Sequence, residues 1–217
     1  MKKQTSLMLA LSVGLSVISG SVLAGDGGQY KITITNLTRG SLFTPAVAVS
    51  HAKGIKVFTE GAPASDGLAR LAEGGDTRPL LGELFATGKA HFAANSGPVL
   101  PGKSVTMMLP AREDERLSMA SMVLPTNDGF IALNGVRAPK KGKTRTYYIP
   151  AHDAGSELND EHCVNIPGPH CGGAGYDAAG GEGYVHIHAG IHGSGDLVAA
   201  DYDWRNPVAR ITIERVK

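Results

Sequence analysis

Two segments at opposite ends of the chain alternate apolar and polar residues with a period of two, and they confine the fold more than any other feature. Tyr30-Lys-Ile-Thr-Ile-Thr-Asn36 alternates strictly and is β-branched, and Val208-Ala-Arg-Ile-Thr-Ile-Glu-Arg-Val216 has the same character. Strand side chains alternate faces, so each segment predicts a strand with one core face and one wet face. In the second, Val208, Ile211, Ile213 and Val216 are the expected core positions. Further short strands are predicted over 46–50, 104–109, 116–124, 130–136, 144–149 and 184–188, separated by Gly- and Pro-bearing turns. Such a series predicts an all-β chain folded as an antiparallel β-sandwich. The period changes only over 65–88. There Ser65 is an N-cap for a helix with Leu68, Leu71 and Ala72 on one face, ended by Gly74-Gly75. Pro79–Thr87 predicts a second short helix, with Leu80, Leu81, Leu84 and Phe85 on its apolar face and Gly88 as its stop.

Residues 1–24 have the pattern of a signal peptide. Lys2 and Lys3 supply the positive start, 7–18 is an apolar run broken by Ser12, Gly14 and Ser16, and Val22-Leu23-Ala24 is a small-residue cleavage site. The run is too short and interrupted for a membrane span, so the mature chain is expected to have no transmembrane segment. Residues 25–217 then form one domain of an exported protein, periplasmic or secreted. With a net charge of +1 and both signs interspersed, the chain lacks the basic footprint of a nucleic-acid binder. The one basic cluster, Lys140, Lys141, Lys143 and Arg145, sits beside Pro139 and Gly142 and reads as a solvated turn. The two cysteines, Cys163 and Cys171, are expected to pair in an oxidising compartment. The loop they would close is short, so the bond contributes about 2–3 kcal/mol. The alternative is a metal knot with His162 and His170.

Three of the eight histidines fall in Glu182-Gly-Tyr-Val-His-Ile-His-Ala-Gly-Ile-His192. On a strand His186 and His188 share a face, and two adjacent imidazoles suit copper or zinc. Gly190 and Gly193 flank His192, so a turn can swing it back toward the pair, and His51 is a fourth candidate ligand. Asp196, Asp201 and Asp203 are candidates to orient such histidines. The plainer reading is exposed or hydrogen-bonded histidines, with His51 in the core against Glu73. Glycine is 29 of 217 residues, above the usual share of about 7%, and most of the excess lies between 168 and 195. A long segment of this kind is usually functional when ordered. Trp204, the single tryptophan, and Met107, Met108, Met119 and Met122 read as packing residues. There is no G-x-S-x-G elbow, H-E-x-x-H or phosphate loop, so the chain is read as no enzyme. A metal-dependent hydrolase would have only Glu182 as a neighbouring base.

Four blocks, in order, resemble the spondin N-terminal domain family of F-spondin and mindin, in its bacterial exported form. They are Phe43-Thr-Pro-Ala-Val-Ala-Val-Ser-His51 with the following Phe58, Gly61, Gly67-Leu68 and Leu71-Ala-Glu73; Ser118-Met-Ala-Ser-Met-Val-Leu-Pro-Thr-Asn-Asp-Gly-Phe130; Asp153-Ala-Gly-Ser-Glu157; and Asn206-Pro-Val-Ala-Arg-Ile-Thr-Ile-Glu-Arg-Val216. The resemblance implies a C2-like antiparallel β-sandwich with short edge helices. It also implies a calcium site of loop carboxylates at one end, and an adhesion or binding role toward a protein or glycan partner at the cell exterior. Asp128, Asp153 and Glu157 match the family's carboxylate positions. Calcium wants six to eight oxygens, which two such loops with carbonyls and waters can supply. Where some relatives carry a Glu, the strand over 104–109 has no acid. The alternative for Asp128 and Asp153 is that each caps a turn through Asx hydrogen bonds.

Overall fold

The two alternating segments are hydrogen-bonded neighbours. A computed structural model describes residues 27–178 and 180–217; the signal peptide expected over 1–24 lies outside the described residues. The strands are β1 (Gly27–Asn36), β2 (Leu42–Phe43), β3 (Val47–His51), β4 (Ala90–Asn95), β5 (Ser104–Arg112), β6 (Arg116–Leu124), β7 (Gly129–Arg137), β8 (Thr144–Ile149), β9 (His152–Asp153), β10 (His186–Ile187) and β11 (Ala209–Arg215). The helices are α1 (Asp66–Gly74), α2 (Thr77–Ala86), α3 (Gly168–Cys171) and α4 (Ala199–Tyr202).

β1 runs antiparallel to β11 from Tyr30 opposite Arg215 to Asn36 opposite Ala209. This register sets Ile32 against Ile213 and Ile34 against Ile211, and all four are buried. The opposite face is wet, carrying the Lys31–Glu214 ion pair at 2.6 Å and the Thr35–Ser104 hydrogen bond. Val216 is not a core residue. Strict alternation puts it on the wet face with Thr212 and Glu214, past the end of β11, and it is 41% exposed.

One sheet has the order β5-β1-β11-β8 and the other β10-β9-β7-β6-β3-β4, with β2 also paired to β6. Their facing sides enclose one core around Phe43, Leu109, Met119, Met122 and Ile211. The outer side of the second sheet is covered by α1 and α2, which makes a second core of Leu68, Leu71, Leu80, Val49 and Phe130. β6 is therefore buried on both faces, which is why 117–124 is continuously apolar or small instead of alternating. The architecture is the expected antiparallel β-sandwich with short helices.

α1 keeps both expected ends. Ser65 Oγ accepts from Leu68 N–H at 3.2 Å, and Gly75 takes the left-handed conformation at φ 70°. α2 begins earlier than expected because Asp76 caps it, accepting from Arg78 N–H, and Phe85 is 40% exposed beyond its buried face of Leu80 and Leu84. The strand expected over 184–188 shrinks to β10. Val185 instead exchanges backbone hydrogen bonds with Gly61 and Ala62, which pulls it off the ladder. β4 and β9 lie where no strand was expected. No helix of the described residues is long and apolar enough to cross a membrane.

Candidate functional site

At one end of the second sheet, β7, β9 and β10 bring three distant segments side by side. Gly129 pairs with Asp153, and Asp153 pairs with His186. The turn before β7 is fixed by Thr126, whose Oγ1 accepts from Gly129 N–H and donates to the Val123 carbonyl. Asp128 is held in that turn and is fully buried.

The loop after β9 folds over Asp128. Its Oδ2 accepts from Ser156 N–H at 2.7 Å, from Glu157 N–H at 3.1 Å and from the Ser156 hydroxyl at 3.3 Å. Oδ1 has no hydrogen-bond partner among the described residues. Asp153 Oδ1 accepts from Gly155 N–H at 2.7 Å, the expected Asx turn, and its Oδ2 accepts from Asn159 Nδ2 at 2.6 Å. Burial, then the charges of Asp153 and Glu182, push the Asp128 carboxyl up to about 8. Asp128 makes no Asx turn of its own: the distant loop after β9 satisfies one of its oxygens and leaves the other, buried beside like charges, in need of a proton or a cation.

Glu157 divides its contributions. Its N–H caps Asp128, but its side chain turns to a neighbouring acidic group. Oε1 accepts from Asn127 Nδ2 at 3.3 Å and Oε2 has no partner. Burial pushes this carboxyl up to about 7, and the nearby charges of Glu73, Asp160 and Asp177 add to the shift. Glu73, buried on α1, accepts from Asp177 N–H at 2.7 Å and is also raised by burial.

The four candidate histidines are not brought together. Among the described residues no three of them gather ring nitrogens within 4.8 Å. His51 is fully buried in β3, with Nδ1 against the Ala52 carbonyl at 2.8 Å and Nε2 against Ser118 Oγ at 2.9 Å; Ser118, not Glu73, is its side-chain partner. Burial pushes its pKa down. His186 faces the carboxylates, with Nε2 3.5 Å from Asp153 Oδ1. His188 lies past the end of β10 and turns inward onto Trp204, ring centres 5.1 Å apart. Its Nδ1 accepts from Gly190 N–H at 3.0 Å, and burial lowers its pKa. His192 is exposed near the same Trp204, and its backbone N–H is held by the buried Glu161 carboxylate, which also takes the N–H groups of Gly193 and Ser194.

The grouping that does form is Asp153, Glu182 and His186, whose ligand atoms all lie within 4.8 Å of one another. Sequence reading took Glu182 only as a possible base. Its placement depends on the Gly-rich segment returning across the loop that carries Asp153. Asn159 ties the two, donating to Asp153 Oδ2 and to Glu182 Oε1 at 3.3 Å. Cys163 and Cys171 are disulfide-bonded, which leaves no thiolate for a metal knot. His162 instead pairs with Asp160 and His170 with Tyr202.

The carboxylate set suits a hard cation. Calcium takes oxygen ligands, and Asp128 offers a buried oxygen that nothing in the described protein satisfies. A family model described as Spondin_N matches residues 35–157, from the end of β1 through Glu157, and so spans Asp128, Asp153 and the turns that hold them. Glu182, His186 and the rest of the Gly-rich segment lie beyond the matched stretch. No curated protein matches the chain.

Proposed function

The chain belongs to the spondin N-terminal domain family, and from that premise we propose that it is an exported, non-enzymatic binding or adhesion module whose loops are ordered by calcium. Family membership supports an extracellular binding type of module, and the disulfide is consistent with an oxidising compartment. The observation that carries the calcium reading is the buried Oδ1 of Asp128, without a partner and close to the charges of Asp153 and Glu182. Asp128 and Asp153 would hold the ion, Glu182 stands beside them as a further carboxylate, and Glu157 supports Asp128 through its N–H. Bound calcium supplies the charge that keeps these acids ionised away from water. The residues themselves tie the β7 turn, the loop after β9 and the Gly-rich segment into one surface, on which a protein or glycan at the cell exterior would be recognised.

A second reading, copper or zinc binding, is favoured by the grouping of His186 with Asp153 and Glu182. An imidazole ligand must be neutral, so such a site weakens below about pH 6. Elemental analysis of the mature protein, purified without chelator or affinity tag, separates the two. Near-stoichiometric calcium that disappears in Asp128→Asn is the expected result. Copper or zinc in its place, lost in His186→Ala, would make transition-metal handling the function. Protein without metal, and without calcium uptake on dialysis, would remove calcium from the proposal.

A further inference from the structure

Beside Trp204 lies a cavity of about 310 Å³ lined by His188, His192, Asp203, Trp204, Arg205 and Asn206. All of these residues lie outside the stretch matched by the family. The volume is at the lower end of the range for small-molecule pockets, about 300–1,000 Å³.

Apart from the exposed imidazole of His192, the polar groups that line it can be accounted for one by one. Asp203 is satisfied: Oδ1 accepts from Ile191 N–H at 3.2 Å and Oδ2 takes the Arg205 guanidinium. Asn206 Oδ1 accepts from Ala151 N–H at 3.1 Å, and its Nδ2 keeps both hydrogens. Arg205 uses Nη1 on Asp203 and on the Trp204 carbonyl, while Nε and Nη2 have no acceptor among the described residues. His188 is 5% exposed. Because its Nδ1 accepts from Gly190 N–H, that nitrogen carries no proton and the ring hydrogen sits on Nε2. This Nε2–H is buried without a partner among the described residues. A buried donor left unpaired is costly, so a native structure that keeps one usually has something to fill it. The same tautomer makes His188 Nε2 a donor and unfit as a metal ligand.

The valences left open on His188, Asn206 and Arg205 are therefore donors, and they stand beside an indole that is 8% exposed. Of the acids whose charge reaches this place, Asp203 is neutralised by Arg205 and Glu161 is held by three backbone N–H groups, which leaves Asp153 as the one that opposes an anion. An occupant must bring acceptors for the donors and an apolar body for Trp204. We propose that this cavity binds a small organic acid, with its carboxylate on His188 Nε2–H, Asn206 Nδ2 and Arg205 and its apolar body against Trp204.

Trp204 is the only tryptophan of the chain, so its fluorescence reports on this cavity alone. The test titrates benzoate and N-acetyl-leucine against the whole mature protein, with benzamide and N-acetyl-leucine methylamide as matched probes without the carboxylate. The expected result is a saturable change with at least one acid and none with its amide. Arg205→Ala and Asn206→Asp should each weaken that binding at least about tenfold: the first removes a charge-assisted hydrogen bond and uncovers the Asp203 charge, the second removes one and sets a carboxylate against the ligand's. Asn206→Asp keeps the oxygen that accepts from Ala151, so it tests the site without removing a structural bond. A saturable response equal for acid and amide, binding unchanged in both variants, or no response to either acid would overturn the proposal, the last leaving water as the partner of His188.

Discussion

Asp128 has two unequal oxygens, and its chemistry follows from that inequality. Oδ2 receives three hydrogen bonds and Oδ1 none. Without a cation the folded protein holds a proton on this group up to about 8, whereas an unfolded aspartate releases it near 3.9. The folded state thus binds more protons than the unfolded state between those values, and stability falls as pH rises through that window. Glu157, raised to about 7, acts in the same sense. In chelator, the denaturation midpoint should be lower at about pH 8 than at about pH 7, a window above the one in which the buried histidines act in the opposite sense, and Asp128→Asn should remove most of that slope. An unchanged slope in the variant would show that Asp128 does not carry it. Asp128 and Asp153 were legible through the family resemblance, and only the Asx turn of Asp153 through local turn chemistry; the bonds that hold Asp128 come from a loop 28 residues on. The histidines were not, because whether His186 and His188 share a face depends on where β10 ends. β10 stops at Ile187, and His188, its N–H on the Ala151 carbonyl, turns onto Trp204, contacts far away in sequence.

At the scale of elements, part of the glycine excess has a packing cause, beside the positive φ of such glycines as Gly180 and Gly183. A Cβ on Gly181 would meet the backbone of Glu157, and one on Gly195 would meet the carbonyl oxygens of Asp160 and Glu161 at 2.5 Å. The Gly-rich segment therefore lies backbone to backbone on the acidic loop, and this close approach brings Glu182 and His186 to Asp153. Gly181→Ala should destabilise by about 1–3 kcal/mol, the usual cost of overpacking, and should weaken calcium binding as well. Gly82 is the contrast. It is exposed in α2 with open space around its Cα, so Gly82→Ala should stabilise by about 0.5–1 kcal/mol through helix propensity alone. Equal effects at the two positions in a denaturant titration would exclude the packing account. Composition alone marked this segment as unusual, but the carbonyls that require its glycines belong to 157–161. β4 was hidden for a different reason. Ala-His-Phe-Ala-Ala-Asn has little β propensity, and its strand form is imposed by pairing with β3 at the edge of the sheet.

Over the whole molecule, two cores meet at β6, one between the sheets and one beneath the helices, and the carboxylate site lies at one end of the sheet they share. Asp128, Asp153 and Glu182 come from segments that have no local reason to approach one another, so an unfolded chain offers no preformed site. A cation that binds them binds only the folded state. Its stabilisation is then set by mass action: at a hundred times the dissociation constant it is about 2.7 kcal/mol. For a domain of this size each kcal/mol raises the melting temperature by about 2–4 °C, so calcium should raise it by about 5–10 °C. The site joins the Gly-rich segment to the second sheet, so that segment and the sandwich should melt in a single transition with calcium present. Asp128→Asn should abolish the calcium-dependent rise and leave the cation-free melting temperature at or above that of the unaltered chain at pH 8, because it removes a buried negative charge that no cation offsets there. A calcium-dependent rise that survives Asp128→Asn would move the ion to other carboxylates, with the Glu73 and Glu157 pair the next place to look.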